Sequence, residues 1–154
     1  MIDAKRRTLV KGSLAAGAVV GAGLMAPRAF AEWNAAAFQA KDIPTAMTGL
    51  LGSDSAEVSD RIKIKAPDIA ENGAVVPVTV ETDLEGVTSI SIIASKNQSP
   101  LIASFEFIDS SVVPFVSTRI KMAETADVVA VVKAGDTLYK NAKSVKVTIG
   151  GCGG

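Results

Sequence analysis

Residues 87–95 read VTSISIIAS, and residues 127–133 read DVVAVVK. Both stretches are rich in β-branched residues and contain neither glycine nor proline, a composition typical of β-strands. The second stretch is apolar on both faces, which predicts a central strand or one that a partner covers. Together these two stretches predict that the chain folds around a β-sheet.

Five more candidate strands lie outward from this pair along the chain. They span residues 61–65, 75–82, 101–108, 114–122 and 143–149. Strict alternation in RIKIK places Ile62 and Ile64 on one face and the charged residues on the other. Turn signals rich in glycine, asparagine, proline and aspartate separate the candidate strands. Seven short strands at this spacing predict an all-β fold, an immunoglobulin-like antiparallel β-sandwich.

Two prolines qualify this prediction. Pro77 and Pro114 fall within candidate strands. Because proline has no backbone N–H to give to a ladder, each strand is expected to be an edge or to bulge at that point.

Helical signal is confined to the residues that precede the strands. Residues 32–41 are alanine-rich, with Trp33 and Phe38 near one face, and Pro44 begins a second run over residues 45–51 that Gly52 ends. These two elements predict a short helical N-terminal cap packed on the sheet.

The N-terminus has the layout of an export signal. Arg6 and Arg7 lie in a basic KRRTLVK segment, residues 13–26 are apolar, and Ala29-Phe30-Ala31 forms an A-x-A cleavage site. This pattern resembles the bacterial twin-arginine signal and predicts a signal peptide over residues 1–31 and a periplasmic location. A short transmembrane anchor is the alternative, although its length is marginal for a span. Since that pathway exports folded proteins, the signal also hints at a partner subunit.

The charge balance differs between the signal and the rest of the chain. The whole sequence has 16 basic and 16 acidic side chains, but residues 1–31 contain five basic side chains and one acid. The remaining 11 basic and 15 acidic side chains give residues 32–154 a formal charge of −4. Such a domain lacks the basic footprint of a nucleic-acid-binding protein. We therefore expect no nucleic-acid partner, and no membrane partner once the signal is removed.

The composition also excludes much catalytic chemistry. The chain has no histidine and one cysteine, so it cannot form a Ser-His or Cys-His dyad, an internal disulfide or a four-cysteine zinc site. The acids that precede the first predicted strand are interpreted as a solvated surface; they are Asp54, Glu57, Asp60 and Asp68. We predict no cofactor, no metal site and no enzymatic activity of the isolated chain.

The only cysteine lies in the C-terminal sequence Gly150-Gly151-Cys152-Gly153-Gly154. Glycines on both sides give the segment wide conformational freedom and leave the thiol unshielded. Residues 150 to 152 can extend roughly 10 Å beyond the last strand at about 3.3 to 3.6 Å per residue. The sequence thus predicts three parts, namely the signal, a sandwich domain over residues 32–149 and a swinging arm over residues 150–154.

Several functions of the cysteine are compatible with this arm. Cys152 could be incidental, form an intermolecular disulfide, or crosslink an exported structural sandwich. The terminal Gly-Gly could instead carry sulfur as a thiocarboxylate on Gly154, although that chemistry needs cytoplasmic ATP-dependent activation. Prenylation is excluded, because two residues follow Cys152 where the motif requires three.

The terminal GGCGG after a twin-arginine signal and a β-rich domain resembles the SoxY family, the sulfur-carrying subunits of bacterial thiosulfate oxidation. The resemblance implies that Cys152 holds sulfur intermediates covalently and that Gly150, Gly151, Gly153 and Gly154 form its arm. It implies a heterodimer with a SoxZ-like sandwich subunit that has no signal. It also implies three enzyme partners, which are the c-type cytochrome SoxAX, the sulfate-releasing hydrolase SoxB and, in some organisms, the sulfur dehydrogenase SoxCD.

The immediate surroundings of the cysteine do little to activate it. The terminal carboxylate of Gly154 lies two residues away, and a nearby negative charge raises the pKa of a thiol. We therefore expect the activating charge to come from the partner enzymes, while this chain supplies the tether.

Overall fold

The computed structural model describes residues 34–109 and 112–149. Within these ranges the chain forms two helices and nine strands. The helices are α1 (Ala35–Gln39) and α2 (Ile43–Leu51). The strands are β1 (Glu57–Val58), β2 (Ile62–Lys65), β3 (Ile69–Ala70), β4 (Val76–Thr82), β5 (Val87–Ala94), β6 (Leu101–Glu106), β7 (Phe115–Ile120), β8 (Ala126–Ala134) and β9 (Thr137–Val147).

The strands form two sheets that pack face to face. The larger sheet has the order β1-β9-β8-β5-β6, with β3 also pairing with β9, and the smaller sheet has the order β2-β4-β7. Apolar side chains from both sheets fill one continuous core. Its fully buried members include Ile62, Val78, Val80, Ile90, Ile92, Val128, Val132 and Val145. The predicted all-β sandwich is confirmed, and its long strands pair antiparallel.

Strand β8 is central, and both of its faces are covered. It lies between β9 and β5, and its Val128 and Val132 belong to the sandwich core. Val131 points to the other face, where it joins a second apolar cluster with Ala46 and Met47 of α2. The two-sided apolar pattern of residues 127–133 is explained by this arrangement, because the chain's own helical cap covers the second face.

Strands β8 and β9 form a tight hairpin. Gly135 occupies the first of two loop positions with φ 58°, a left-handed value that glycine accepts without strain. Strand β9 begins at Thr137, six residues before its predicted start, and ends at Val147 rather than Ile149. Residues 137–142 alternate weakly, but pairing with β8 and burial of Leu138 under the helical cap hold them in the sheet.

The two prolines lie where a ladder partner is missing. Strand β4 is flanked by β2 and β7, yet its pairing with β2 ends at Thr79, so Pro77 faces β7 alone. Pro114 immediately precedes β7, an edge strand. Strands β1 and β3, which the sequence did not predict, are two residues long and pair parallel to β9.

Helix α1 is shorter than predicted. Asn34 caps it, because the Asn34 side chain accepts a hydrogen bond of 3.1 Å from the Ala37 N–H. The helix ends at Gln39 because Ala40 adopts an extended conformation. Trp33, which the sequence analysis placed beside Phe38, lies outside the described residues.

Helix α2 begins two residues earlier than predicted, because Asp42 caps it. The Asp42 carboxylate accepts hydrogen bonds from the Thr45 N–H at 2.8 Å and from the Thr45 hydroxyl at 2.9 Å. The backbone bond is the main reason why the pKa of the Asp42 carboxyl lies below its ordinary value of 3.8, and the hydroxyl adds to the effect. Gly52 ends the helix with φ 81°, and its N–H donates to the Thr48 carbonyl.

Removing the Asp42 cap is expected to destabilise the domain in a pH-dependent way. Because the folded-state pKa is lowered, the charged cap stabilises the fold above the ordinary carboxyl pKa and loses that effect as pH falls through the lower value. Asp42→Ala should therefore lower Tm at neutral pH, and the gap to wild type should narrow in strong acid. Asp42→Asn is the matched control and should retain most of the stability, since asparagine also caps well. Equal Tm values for wild type and Asp42→Ala at neutral pH would contradict this role.

Candidate functional site

The predicted site residues lie at the ends of the chain and outside the described residues. These are Arg6 and Arg7 of the signal and residues 150–154 of the arm, including Cys152. The structure does describe the place from which the arm leaves the domain. We call this place the arm root and define it as Thr148 and Ile149 with the backbone groups that hold them.

One side of the arm root is held by the segment that contains β3. Ile69 and Ala70 pair with Lys146 and Val147 at the end of β9. The ladder continues past the strand, because the Thr148 N–H donates to the Ala70 carbonyl at 3.1 Å. The Ile149 carbonyl then accepts a hydrogen bond of 2.9 Å from the Gly73 N–H. The chain is therefore held by backbone hydrogen bonds as far as Ile149.

The other side of the arm root is held by a side chain. Pairing between β8 and β9 reaches Ala126 and Val145 and goes no further. The Thr125 hydroxyl then takes the place of a strand partner. It accepts a hydrogen bond from the Val147 N–H at 2.9 Å and lies 3.4 Å from the Val147 carbonyl, to which it donates. Thr125 thus fixes the last residue of β9 from the side opposite β3.

Gly73 connects the arm root to the sandwich core. Its carbonyl accepts a hydrogen bond of 2.7 Å from the N–H of Met122, whose side chain is fully buried in the main core. The Asn72 side chain closes the adjoining turn by accepting from the Ala74 N–H at 2.8 Å. The arm root is consequently coupled to both sheets.

Three large apolar side chains in β3, before β4 and after β9 are more than half exposed. Ile69 is 57% exposed, Val75 is 52% exposed and Ile149 is 67% exposed. Asp68, which immediately precedes Ile69, forms an ion pair with Lys143, with 3.0 Å between Oδ1 and Nζ.

Few other features of the described residues could bind a ligand or a metal ion. A groove of about 500 Å³ between α2 and β9 is lined mainly by apolar side chains, including Ile43, Met47 and Val129. No group of three or more acidic, histidine or cysteine side chains that could hold a metal ion occurs in residues 34–109 and 112–149. The acids interpreted from the sequence as surface residues, Asp54, Glu57, Asp60 and Asp68, are all exposed.

None of the helices in the described part of the chain is long and apolar enough to cross a membrane. The segment considered from sequence as an alternative membrane anchor lies in residues 1–33, outside that part.

Comparisons with known proteins point to one family. The family model described as "Sulfur oxidation protein SoxY" matches residues 47–152. The solved structure of the sulfur carrier protein SoxY from Chlorobium limicola f thiosulfatophilum is 47% identical, with a TM-score of 0.64, and the match covers 72% of this chain and 96% of that one. Among curated proteins, no match was found.

A second solved structure resembles this chain in fold alone. The superoxide reductase (neelaredoxin) from Ignicoccus hospitalis is 16% identical, with a TM-score of 0.53, and the match covers 60% of this chain and 94% of that one.

Thr125 is expected to control the local stability of the arm root. Thr125→Val keeps the shape of the side chain but removes the acceptor for the Val147 N–H, so hydrogen exchange at that amide should become roughly threefold to tenfold faster. The comparison variant Thr125→Ser retains the hydroxyl and should exchange nearly as slowly as wild type. An unchanged exchange rate at Val147 in Thr125→Val would show that the hydroxyl does not hold the strand end.

Proposed function

The chain belongs to the SoxY family, and we propose that it is a periplasmic carrier that holds sulfur intermediates of thiosulfate oxidation covalently on the Cys152 thiol. The observation that carries this proposal is that the family match extends to residue 152, the only cysteine in the chain. The carrier itself is not an enzyme, because the reactions are performed on its adduct by partner proteins.

The loading reaction joins two sulfur atoms. The Cys152 thiol and thiosulfate lose one proton and two electrons as a bond forms between Sγ and the sulfane sulfur, which gives Cys152–S–S–SO₃⁻. The electrons pass to the c-type cytochrome SoxAX. Disulfide-type bonds of this kind are reversible, which suits a carrier that must be loaded and unloaded.

The unloading reaction is a hydrolysis. Water attacks the sulfone group of the adduct, the bond between the two outer sulfur atoms breaks, and sulfate and two protons are released. The product is the persulfide Cys152–S–S⁻, and the charge balances without a further electron acceptor. SoxB performs this step, and SoxCD oxidises the remaining sulfane sulfur where it is present.

The described structure supports a division of labour between domain and arm. Hydrogen bonds fix the chain up to Ile149. They join Thr148 to the Ala70 carbonyl, Ile149 to the Gly73 N–H, and Val147 to the Thr125 hydroxyl. The five residues that follow contain four glycines and the thiol. A fixed base with a glycine-rich end is suited to a carrier, since only the last residues need to enter each partner enzyme.

The proposal includes export and assembly. Residues 1–31 act as a twin-arginine signal, residues 32–149 form the carrier domain and residues 150–154 form the arm. The chain crosses the membrane folded, together with a SoxZ-like subunit that lacks its own signal. This pairing supplies a reason for folding before export in a chain for which no cofactor is proposed.

Replacement of the cysteine tests the carrier role directly. In cells fed with thiosulfate, the intact mass of the wild-type protein should increase by one thiosulfate-derived adduct that a thiol reductant removes. Cys152→Ala should gain no adduct and should abolish thiosulfate-dependent respiration, while its folding and its binding to the partner subunit remain unchanged. Cys152→Ser provides a second, nearly isosteric control.

The same mass measurement separates the competing functions. An adduct on the Gly154 carboxyl would indicate a thiocarboxylate carrier, and a disulfide-linked dimer without adducts would indicate a crosslinked structural protein. Normal thiosulfate turnover by Cys152→Ala would refute the proposed function.

The export signal can be tested by a charge-conserving change. The twin-arginine machinery recognises the paired arginines, so replacing Arg6 and Arg7 by lysine should leave the precursor in the cytoplasm. Fractionation followed by N-terminal sequencing should give wild-type periplasmic protein that begins at Glu32. The partner subunit should accumulate in the cytoplasm together with the variant. Unimpaired export of the double lysine variant would contradict twin-arginine transport.

A further inference from the structure

We propose that a cavity beside the β8–β9 turn binds a small zwitterion with an aliphatic side chain, of the size and charge of a free α-amino acid. The cavity has a volume of about 350 Å³, which is at the small end of the range for ligand sites. It lies on the face of the larger sheet that the helical cap covers, where β8 ends and β9 begins. The inference is independent of the proposed function.

Three polar residues form a row across the sheet in this cavity. Ser89 of β5 is paired with Lys133 of β8 on one side and with Glu106 of β6 on the other. Residues that are directly paired between neighbouring strands share a face of the sheet, so the three side chains project to the same side. All three line the cavity. A cation, a hydroxyl and a carboxylate therefore converge on one space.

The central hydroxyl of this row lacks a partner. Ser89 is only 7% exposed, yet its hydroxyl makes no hydrogen bond within the part of the chain that the structure describes. No side-chain oxygen in that part is both sealed from solvent and unpaired, so the Ser89 hydroxyl opens to the cavity that it lines. Burial of an unpaired hydroxyl is unfavourable, and a molecule bound in the cavity would supply the missing hydrogen bond.

A second hydroxyl lies on the next row of the same face. Ser104 also lines the cavity, and 3.0 Å separate its Oγ from the Oγ of the fully buried Ser91. A hydroxyl has one donor and two acceptor sites, so this bond leaves Ser104 with capacity for another. The cavity thus offers two hydroxyls between its two charged groups.

The spacing of the charged groups suits a small zwitterion. Lys133 and Glu106 lie two strands apart, which separates their backbones by roughly 10 Å. Side chains stand roughly perpendicular to a sheet, so the charged groups keep a comparable spacing. Two charge-assisted hydrogen bonds of about 2.8 Å each leave roughly 4 Å between the ligand atoms that receive them. This gap is close to the distance between the carboxylate and the ammonium group of an α-amino acid.

The charges of the cavity also disfavour a simple ion. Among the described residues, the ion pairs involve other side chains, so both Lys133 and Glu106 are available to a ligand. An anion such as thiosulfate would be attracted by Lys133 but repelled by Glu106, and an amine would meet the opposite combination. A molecule that carries both charges can be oriented so that each group meets its opposite.

Apolar side chains complete the lining of the cavity. Leu50 and Leu51 are the last two residues of α2, and Phe107 and Ile108 follow β6. Three of them are half-buried, whereas Ile108 is fully exposed. An aliphatic side chain placed against these residues would bury its own surface and part of theirs. The lining therefore favours a zwitterion with an aliphatic side chain over glycine.

Titration of the full chain with L-leucine tests this site. Calorimetry should detect binding, and amide NMR spectra should show the largest shifts at Ser89, Glu106 and Lys133. Isocaproate, which lacks the ammonium group of leucine, and isopentylamine, which lacks its carboxylate, should each bind about tenfold more weakly or worse. Absence of L-leucine binding, or equal binding of either analogue, would overturn the proposal.

Substitutions in the row locate the site. Lys133→Gln and Glu106→Gln should each weaken L-leucine binding about tenfold or more, because each removes one charge-assisted bond. The matched control Lys146→Gln removes an exposed charge near the other end of β9 and should bind within about twofold of wild type. Unchanged affinity in both row variants, or equal loss in Lys146→Gln, would overturn the assignment of the cavity.

Ser89→Ala separates a ligand-binding role of the hydroxyl from a structural one. Loss of a hydroxyl without a partner should leave Tm of the chain without leucine unchanged or higher, while the affinity for L-leucine falls about threefold or more. A lower Tm together with unchanged affinity would show a structural role and would contradict the proposal.

This inference and the proposed function can fail separately. Lys133 pairs with Leu138 at the start of β9, and roughly 30 Å of strand separate Leu138 from Val147. Cys152→Ala should therefore bind L-leucine with wild-type affinity. An inactive Cys152→Ala in a chain that does not bind L-leucine would remove the cavity site alone, whereas normal thiosulfate turnover by a leucine-binding Cys152→Ala would remove the carrier function alone.

Discussion

The ladder between β8 and β9 is the interaction on which the rest of the structure depends. It begins at the Gly135 turn and pairs nine residues of β8 with residues of β9. Because β8 also pairs with β5, the ladder places one apolar face towards β2 and β4 and the other towards α2. The outer edge of β9 then receives β1 and β3, and its end becomes the arm root. Core, helical cap and site all share this one strand pair.

Much of the fold could be predicted from the sequence, because burial of one strand face makes apolar and polar residues alternate along the chain. Alternation in residues 61–65 predicted a strand with one apolar and one charged face, and two-sided apolarity in residues 127–133 predicted a central or covered strand. Alanine-rich residues before Gly52 predicted the helical cap. Strands β1 and β3 escaped prediction since two residues cannot show a period and their conformation is set by β9. The first half of β9 escaped for a related reason, because its pairing with β8 outweighs its weak local pattern.

The candidate site, like the fold, could be predicted from the sequence only in part. The role of Cys152 stays a prediction from the sequence, because the residue lies outside the described ranges. The arm root could not be predicted, because Ala70, Gly73 and Thr125 act through backbone groups or a hydroxyl that carry no distinctive sequence signal. Asn72-Gly73 was recognisable as a turn, but its bond to Ile149 depends on how β3 returns to β9. The exposure of Ile69 and Val75 likewise becomes visible only when the fold is known.

The covered outer edge of β9 has a mechanical consequence. In the proposed function, a pull on Cys152 would enter the domain at Ile149, and its component along β9 would load that strand. The hydrogen bonds to β8 lie across that direction, so the load acts on them in shear and they resist together instead of opening one after another. Strand β3 and the hydrogen bonds of Gly73 to Ile149 and Met122 share part of this load. We therefore expect the end of β9 to resist fraying when the proposed arm is pulled along the strand.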